Sequence, residues 1–570
     1  MKRQHRIILL IFGILIVVLL IVPFLISANQ FRPKIEEKAS AALGRKVILG
    51  NLSLSLLSGS LAAEDVSISD DPRFSSSPFV TAKSLKVGVE LVPLIFSKTL
   101  NITGITIENP QVTLLRSAAG QWNYSSLGGS SAKATPKQTV AAGTPSNSSS
   151  SPADLSIKKF ELKNGQVIIG STGSPKRSTY NHVNVTASGF SMISKFPFNI
   201  TADLPGSGKF QLDGNAGPVD RADTSLSPLD AKLNVSSLDL ASAGFLDRSL
   251  GLGGLLDLNA NLDSQNGEAA TKGAAKLSKA LLIAGGSSAS QPLTVDFNTK
   301  YDLRKNAGVL EPSTLKIGNA AAHLNGTYQT ASEATLLNIK LEGQNMPARD
   351  FESFLPALGI KVPKGATLQA GTLDTNLKLS GPINRIVTAG NVGLFGAKLA
   401  GFDLGSKMAA ISSLAGIRTG TDLQIEKLTS DVRMAPDGLR AQNFIAVVPA
   451  LGNLVGSGNI DSKNNLDFKM AAVVTNALGA PGSPVSTGMG MISKFTGGGA
   501  GCKGGMTVPF RVQGTTSDPK FVPDVGGLAS EMLKSQLGCT GSSTSGATKG
   551  QSPADAVGGL IDLLGKKKKP

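Results

Sequence analysis

Leu100–Leu114 reads LNITGITIENPQVTL, and Leu155–Ile169 reads LSIKKFELKNGQVII. Leu100, Ile102, Ile105, Ile107, Val112 and Leu114 of the first recur as Leu155, Ile157, Phe160, Leu162, Val167 and Ile169 of the second. Apolar residues at every second position put one apolar face on a strand. The links also correspond, Asn109-Pro110-Gln111 against Asn164-Gly165-Gln166. Asn-Gly between alternating runs predicts a hairpin. A fainter third copy starts at Leu423, Ile425 and Leu428 and continues with Val432 and Met434. Repeats of one β unit predict a quasi-one-dimensional sheet in which each unit packs on its neighbours.

Outward from the repeat the alternation continues. Leu52, Leu54 and Leu56 alternate with serines, as do Val66 and Ile68. Leu85, Val87, Val89 and Leu91 alternate with Lys86, Gly88 and Glu90. Further runs fill the chain to Gln344, among them Leu233–Val235, Leu256–Leu262 and Leu336–Leu341. Short helices interrupt this pattern. One precedes the strands, with Pro33 in its first turn, Ile35, Ala39, Ala42 and Leu43 on one face and Gly44 to end it. Others carry Phe351, Phe354 and Leu355 after Pro347, then Met408, Ile411 and Leu414, then Leu528, Met532, Leu533 and Leu537.

At the N-terminal side stands Ile7–Ile26, IILLIFGILIVVLLIVPFLI, uncharged and preceded by Lys2, Arg3 and Arg6. As a helix it spans about 30 Å, the thickness of a bilayer's hydrocarbon core. A secretory signal has a shorter apolar region and ends at a small-x-small site. Ile26 stands two positions before Ala28 and breaks that site, which favours an uncleaved anchor from Ile7 to Ile26. Arg32, Lys34 and Lys38 follow the span, so basic residues flank both ends and the charge rule alone does not orient it.

Composition supports a large β protein. Charged residues are 17% and glycine is 65 of 570, with aromatics at 5%. The net charge is +16, of which three charges precede the anchor and four form Lys566–Lys569. The rest is diffuse, without the dense basic and aromatic patch of a nucleic-acid interface, so nucleic acid is not an expected partner. Cys502 and Cys539 are a candidate disulfide closing a loop of about 38 residues, worth about 4 kcal/mol in the chain-entropy account. The alternative is two unpaired thiols in glycine-rich loops.

Catalytic patterns are scarce. The three histidines, His5, His182 and His323, are far apart in sequence. There is no HExxH, CxxC or GxSxG. Gly499, Gly501 and Gly504 fit GxGxxG but precede the strand-like Thr507–Val512, whereas a phosphate cradle needs a helix N-terminus. Asp70, Asp71 and Asp461 read as turn residues. The expectation is a non-enzyme with no cofactor and no metal.

The order of several motifs resembles a known family. After the anchor come Phe31-Arg32-Pro33, Gly44-Arg45-Lys46-Val47, Gly50–Ser55, Ala82–Val87 and Gly104–Pro110, closing on Gly120-Gln121-Trp122-Asn123. This resembles the N-terminal region of AsmA family proteins of the bacterial envelope. Leu355–Ile360, Gly381-Pro382, Gly401–Leu404, Gly456–Asp461, Val508–Val512 and Ser517–Phe521 resemble the family's C-terminal region. The resemblance implies an inner-membrane anchor with the bulk in the periplasm. It also implies a long curled sheet with an apolar groove, related to bridge-like lipid-transfer proteins, and links to phospholipid supply and outer-membrane protein assembly.

The expected fold is therefore mainly β: an N-terminal transmembrane helix, then an elongated, repetitive, curled antiparallel β-sheet with an apolar groove and a few short helices. The division reads 1–30 cytoplasmic tip and anchor, 31–127 AsmA N-terminal-like region, 128–154 low-complexity linker, 155–345 repetitive β region, 346–538 AsmA C-terminal-like region and 539–570 tail. About thirty strands in one row would reach about 140 Å. Leu114, Leu115, Val167 and Ile169 are the candidate groove lining, against the alternative of an ordinary closed core. Expected partners are phospholipid, the inner membrane and outer-membrane assembly proteins. A non-enzymatic scaffold in outer-membrane protein assembly is the competing function, and a repetitive adhesin the third.

Overall fold

The structure is a computed structural model. It describes residues 28–55, 59–90, 102–129, 156–220, 223–244, 251–283, 286–330, 334–360, 363, 365–402, 422–449, 452–474, 506–524 and 526. Ile7–Ile26, most of the Ser/Gly-rich stretch after Gly129, Cys502, Cys539, Lys566–Lys569 and the segments around Met408 and Leu528 lie outside the described residues. Among the described residues no helix is long and apolar enough to cross a membrane.

The chain opens with helix α1 (Arg32–Leu43), which has a proline in its first turn and Gly44 at φ 63° as its left-handed stop. Then come β1 (Val47–Ile48), β2 (Leu52–Ser55), β3 (Ser60–Ser69), β4 (Pro78–Val89), β5 (Ile102–Glu108), β6 (Gln111–Arg116), β7 (Ser156–Ser171), β8 (Arg177–Ser191), β9 (Phe196–Leu204) and β10 (Gly208–Ala216). Next are β11 (Leu229–Asp239), β12 (Gly253–Gln265), β13 (Glu268–Leu281), β14 (Leu293–Asp302), β15 (Ala307–Ile317), β16 (Ala320–Thr330) and β17 (Thr335–Pro347). Helix α2 (Ala348–Glu352) and a 3-10 turn at Leu355–Leu358 interrupt. The last strands are β18 (Thr367–Pro382), β19 (Val387–Ala400), β20 (Leu423–Ala435), β21 (Gly438–Val448), β22 (Gly452–Asp461), β23 (Leu466–Val474), β24 (Met506–Thr515) and β25 (Asp518–Pro523).

The 25 strands of the described residues form one sheet. From β7 to β25 each strand pairs antiparallel with the next. β1 and β2 share one flank of β3, and β5 and β6 together fill the place between β4 and β7. The strands therefore occupy twenty-three positions, about 105 Å of sheet at about 4.8 Å per step. That is shorter than thirty strands would give.

The repeat is real, but it is not a pair of hairpins. β5 and β6 run parallel to β7 in a register that aligns the two copies residue by residue, from Ile102 with Ile157 to Leu114 with Ile169. Asn109 (φ 46°) and Asn164 (φ 52°) are single left-handed residues within a continuing strand path. A two-residue type I′ turn needs positive φ at both central residues, and neither Pro110 nor Gly165 has it. The motif is a bulge. It corrects the phase of the alternation: Ile105 and Ile107 pass to Val112 and Leu114, and Phe160 and Leu162 to Val167 and Ile169, without leaving their face. The two asparagines lie side by side, Asn164 Nδ2 donating to Asn109 Oδ1 at 2.6 Å. Similar left-handed residues recur at Ser237, Asn345 and Asn443. The N–H of Ser237 is taken by Asp257 and that of Asn345 by Asp374, each on the next strand.

Candidate functional site

The cross-strand register sorts the side chains into two opposite faces. Leu162, Val185, Ile200, Leu212, Leu233, Ala260, Gly273 and Phe297 form one unbroken row across eight strands, β7 to β14. One residue away on the same strands, Glu161, Thr186, Asn199, Asp213, Lys232, Asn261, Lys272 and Asn298 form the matching row on the other face. The pattern resumes as Leu324, Leu341, Leu377, Gly390, Val432, Ala441, Gly458, Phe468, Val512 and Phe521, reaching the last strand. The sheet thus has one apolar and one polar face along its length. On the polar face neighbouring charges compensate. Lys86 and Ser84 hold the Glu108 carboxyl below its ordinary value, Lys159 and Lys163 do so for Glu161, and Lys209 and His182 for Asp203.

Along these mid-strand rows the apolar face is not sealed. Leu162, Val185, Ile200, Leu212, Leu233 and Phe297 are all only half-buried, as are Leu324, Leu341, Leu377, Val432 and Phe468. A sealed core would bury such residues nearly completely. The glycines of the row leave no room for a side chain. A Cβ on Gly273 would stand 2.3 Å from the carbonyl oxygen of Asn259, and one on Gly390 2.0 Å from that of Asn376.

The two ends of the strands differ. From β11 onward, all connections at one end have two to four residues, such as Asn266-Gly267, Pro436-Asp437 and Thr516-Ser517. The other end carries two short connections (318–319 and 449–451) and five long ones, of 13 residues (240–252), 11 (282–292), 19 (348–366), 22 (401–422) and 31 (475–505). The inserts 282–292 and 348–366, where described, form a wall. Phe351, Phe354, Ala357 and Leu358 pack on Leu277, Leu293, Leu315 and Ile317. The 282–292 loop bonds to this insert through Leu282 N–H to Ala357 O (3.1 Å) and Ser287 N–H to Pro356 O (2.9 Å). The result is a trough with one built-up rim and one rim of tight turns.

Of the candidate lining residues, Leu114, Val167 and Ile169 meet in one cluster with Trp122, Tyr180, Leu204 and Val235. Leu114 and Val167 are half-buried there, whereas Ile169 is only 6% exposed. Tyr180 donates to the carbonyl of Ala243 over this cluster, and burial pushes its hydroxyl up to about 12. Leu115 alternates to the other face of β6, pairs with Gly170 and is buried outside that cluster.

A polar staple near the first strands escapes simple sequence patterns. Arg45 Nη1 donates to Asp70 Oδ1 at 3.1 Å, and its Nη2 to Asn123 O at 2.7 Å and Ser126 Oγ at 2.8 Å. Asn123, fully buried, donates from Nδ2 to Asp70 Oδ2 (2.9 Å) and Thr113 O (2.9 Å) and accepts from Leu115 N–H (3.0 Å). Asp71 accepts from Arg73 Nη2 (2.7 Å) and Ser126 Oγ (2.8 Å), and the Arg73 guanidinium holds its carboxyl well below the usual range. Asp70 and Asp71 are thus buried partners in a structural network. The signal for it was the spacing of Gly44-Arg45 and Trp122-Asn123, which only the family resemblance singled out. Among the described residues no group of three His, Cys, Asp or Glu is placed to hold a metal ion.

Residues 1–243 match the model of the AsmA family. That region belongs to the AsmA family. The match contains α1, the staple and both copies of the repeat, and AsmA membership fits an envelope-associated role. The C-terminal motifs that resemble the same family lie beyond the matched residues. No curated protein and no solved structure matches the chain.

Proposed function

We propose that this AsmA protein handles membrane phospholipid, holding acyl chains against the apolar face of its sheet and moving them along it. The reading includes an inner-membrane anchor at Ile7–Ile26, the sheet in the periplasm, and a role in supplying lipid for outer-membrane biogenesis. The observation that carries it is the apolar face whose large side chains stay half-buried in two long rows across the sheet. Apolar side chains left partly accessible over so many strands of a folded protein fit a binding surface.

The physics requires no catalytic step. Each CH₂ withdrawn from water contributes about 0.8 kcal/mol, so acyl chains partition onto the face. Headgroups stay in water at the rim of tight turns, because burying a phosphate without partners is costly. Adjacent rows such as Leu212–Leu233 and Leu341–Leu377 offer similar apolar surroundings. A lipid therefore crosses only small differences in energy from strand to strand, and net flux follows whatever gradient the membranes supply.

Site-specific photo-crosslinking in cells tests this. A photoreactive side chain at Leu212, Leu341 or Phe468 is expected to give phospholipid adducts, and one at Asn261, Lys340 or Asp467 on the other face none. Equal labelling of both faces, or adducts to protein alone at the apolar positions, would overturn the reading in favour of a scaffold.

A further inference from the structure

The N-terminal helix has a second face that the sheet does not use. Ile35, Ala39 and Leu43 of α1 pack on the first strands, against a cluster that includes Leu52, Val66 and Ala82 with Leu85 and Ile107. Phe31, which caps the helix, is 55% exposed. Lys34 and Lys38 follow it at i+3 and i+7, within about 60° of it around the helix axis. Both are exposed, and no carboxylate pairs with either among the described residues. Glu36 turns away, accepting from Arg32 Nε at 3.1 Å and Leu49 N–H at 2.7 Å, while Glu37 stands exposed beside the two lysines.

The chain also fixes where this face stands. Ala28 is buried, and Asn29 is tied to the start of β2, accepting from Leu52 N–H at 2.7 Å and donating to Asn51 Oδ1 at 2.7 Å. Only Ser27 separates Ala28 from Ile26, the last residue of the apolar stretch. Two residue steps reach about 7 Å at most. If Ile7–Ile26 spans the bilayer, the pinned end of the sheet lies flush with the headgroup layer.

We propose that α1 docks on the leaflet through Phe31, with Lys34 and Lys38 binding the phosphates of anionic phospholipids, and so sets the entry port of the trough. This rests on the membrane-tethered lipid-handling reading above. Phe31 inserts beside the acyl chains while the two ammonium groups reach up to the headgroups, the arrangement of an interfacial amphipathic helix. The adjoining face of α1, Ile35, Ala39 and Leu43, already covers the first strands, so lipids gathered there sit beside the start of the apolar sheet.

The test uses the full chain reconstituted into phosphatidylcholine vesicles with and without phosphatidylglycerol. Phe31→Trp adds an emitter whose signal is read against the wild type, which contains only Trp122. Bromine-labelled lipid is expected to quench the added emission. Replacing Lys34 and Lys38 by Gln is expected to lower the preference for spin-labelled phosphatidylglycerol over phosphatidylcholine by about fivefold for each lysine. An added Trp that lipid does not quench, in protein that floats with the vesicles, overturns the port and leaves the anchor and trough standing. An unchanged phosphatidylglycerol preference overturns the headgroup assignment. Wild-type chain that an alkaline wash strips from the vesicles removes the tether, and the port with it, without touching the trough.

Discussion

Leu212→Asp separates an open lipid-binding face from a closed core. Leu212 lies mid-strand in β10, paired with Ile200 and Leu233, and is half-buried. Full burial of a leucine side chain is worth about 1.5–3 kcal/mol, so half of it costs about 1 kcal/mol when lost. The new carboxylate turns toward the open side and keeps its water. In a sealed core the same change would cost about 4 kcal/mol or more, from the lost leucine and a buried charge. With acyl chains on the face the carboxylate must instead shed water into hydrocarbon, a penalty of several kcal/mol, or more than tenfold in local lipid occupancy. The assay pairs hydrogen exchange over β9–β11 with lipid adducts from a photoreactive group at Leu233. The account predicts nearly native protection and an adduct yield down at least tenfold, with Asn261→Asp on the polar face changing neither. Loss of protection across β9–β11, or full adduct yield in L212D, would refute the reasoning.

The remaining predictions concern the fold around the site. Asp70→Asn leaves the buried Arg45 without its charge partner and is expected to cost about 3–5 kcal/mol, read as lost exchange protection around Val47 and Thr113. Asn164→Val forces a β-branched residue into a left-handed conformation and should cost about 1–2 kcal/mol in a chemical melt, while Asn164→Gly should cost less. Ile169→Asp, in a closed cluster, should unfold its surroundings, unlike the same change at Leu212, as circular dichroism and exchange will show. The Asp71 carboxyl has a folded value below its unfolded one, near 3.9. Its contribution is therefore full above about pH 4 and lost as pH falls below that. An acid melt of the wild type should show this limb, and Asp71→Asn should flatten it.

Much of this was legible in the residues. Alternation located strands such as β4, β7, β12 and β20, because a one-sided sheet leaves a period of two wherever one face meets water. The 55-residue repeat placed Leu114 beside Ile169, and Pro33 and Gly44 bounded α1. The bulges were misread as turns because asparagine serves both: a left-handed residue marks a chain reversal or a phase slip, and only the pairing partner tells which. Leu115 illustrates a second limit, since two adjacent leucines cannot both face the trough in an unbroken strand. The Arg45–Asp70–Asn123 staple was hidden because its partners lie 25 and 78 residues apart and follow no period. Whether an apolar face is sealed or open leaves no mark on alternation at all, and it is the half-buried state of Leu212, Leu341 and Phe468 that favours the open trough.

The most direct test of that trough is the lipid content of the purified full chain, extracted and counted by mass spectrometry against protein. The account predicts several phospholipid molecules per chain, falling when apolar-face residues such as Leu212 and Leu341 are replaced by Asp in protein that stays folded. A folded chain that carries no phospholipid would contradict it.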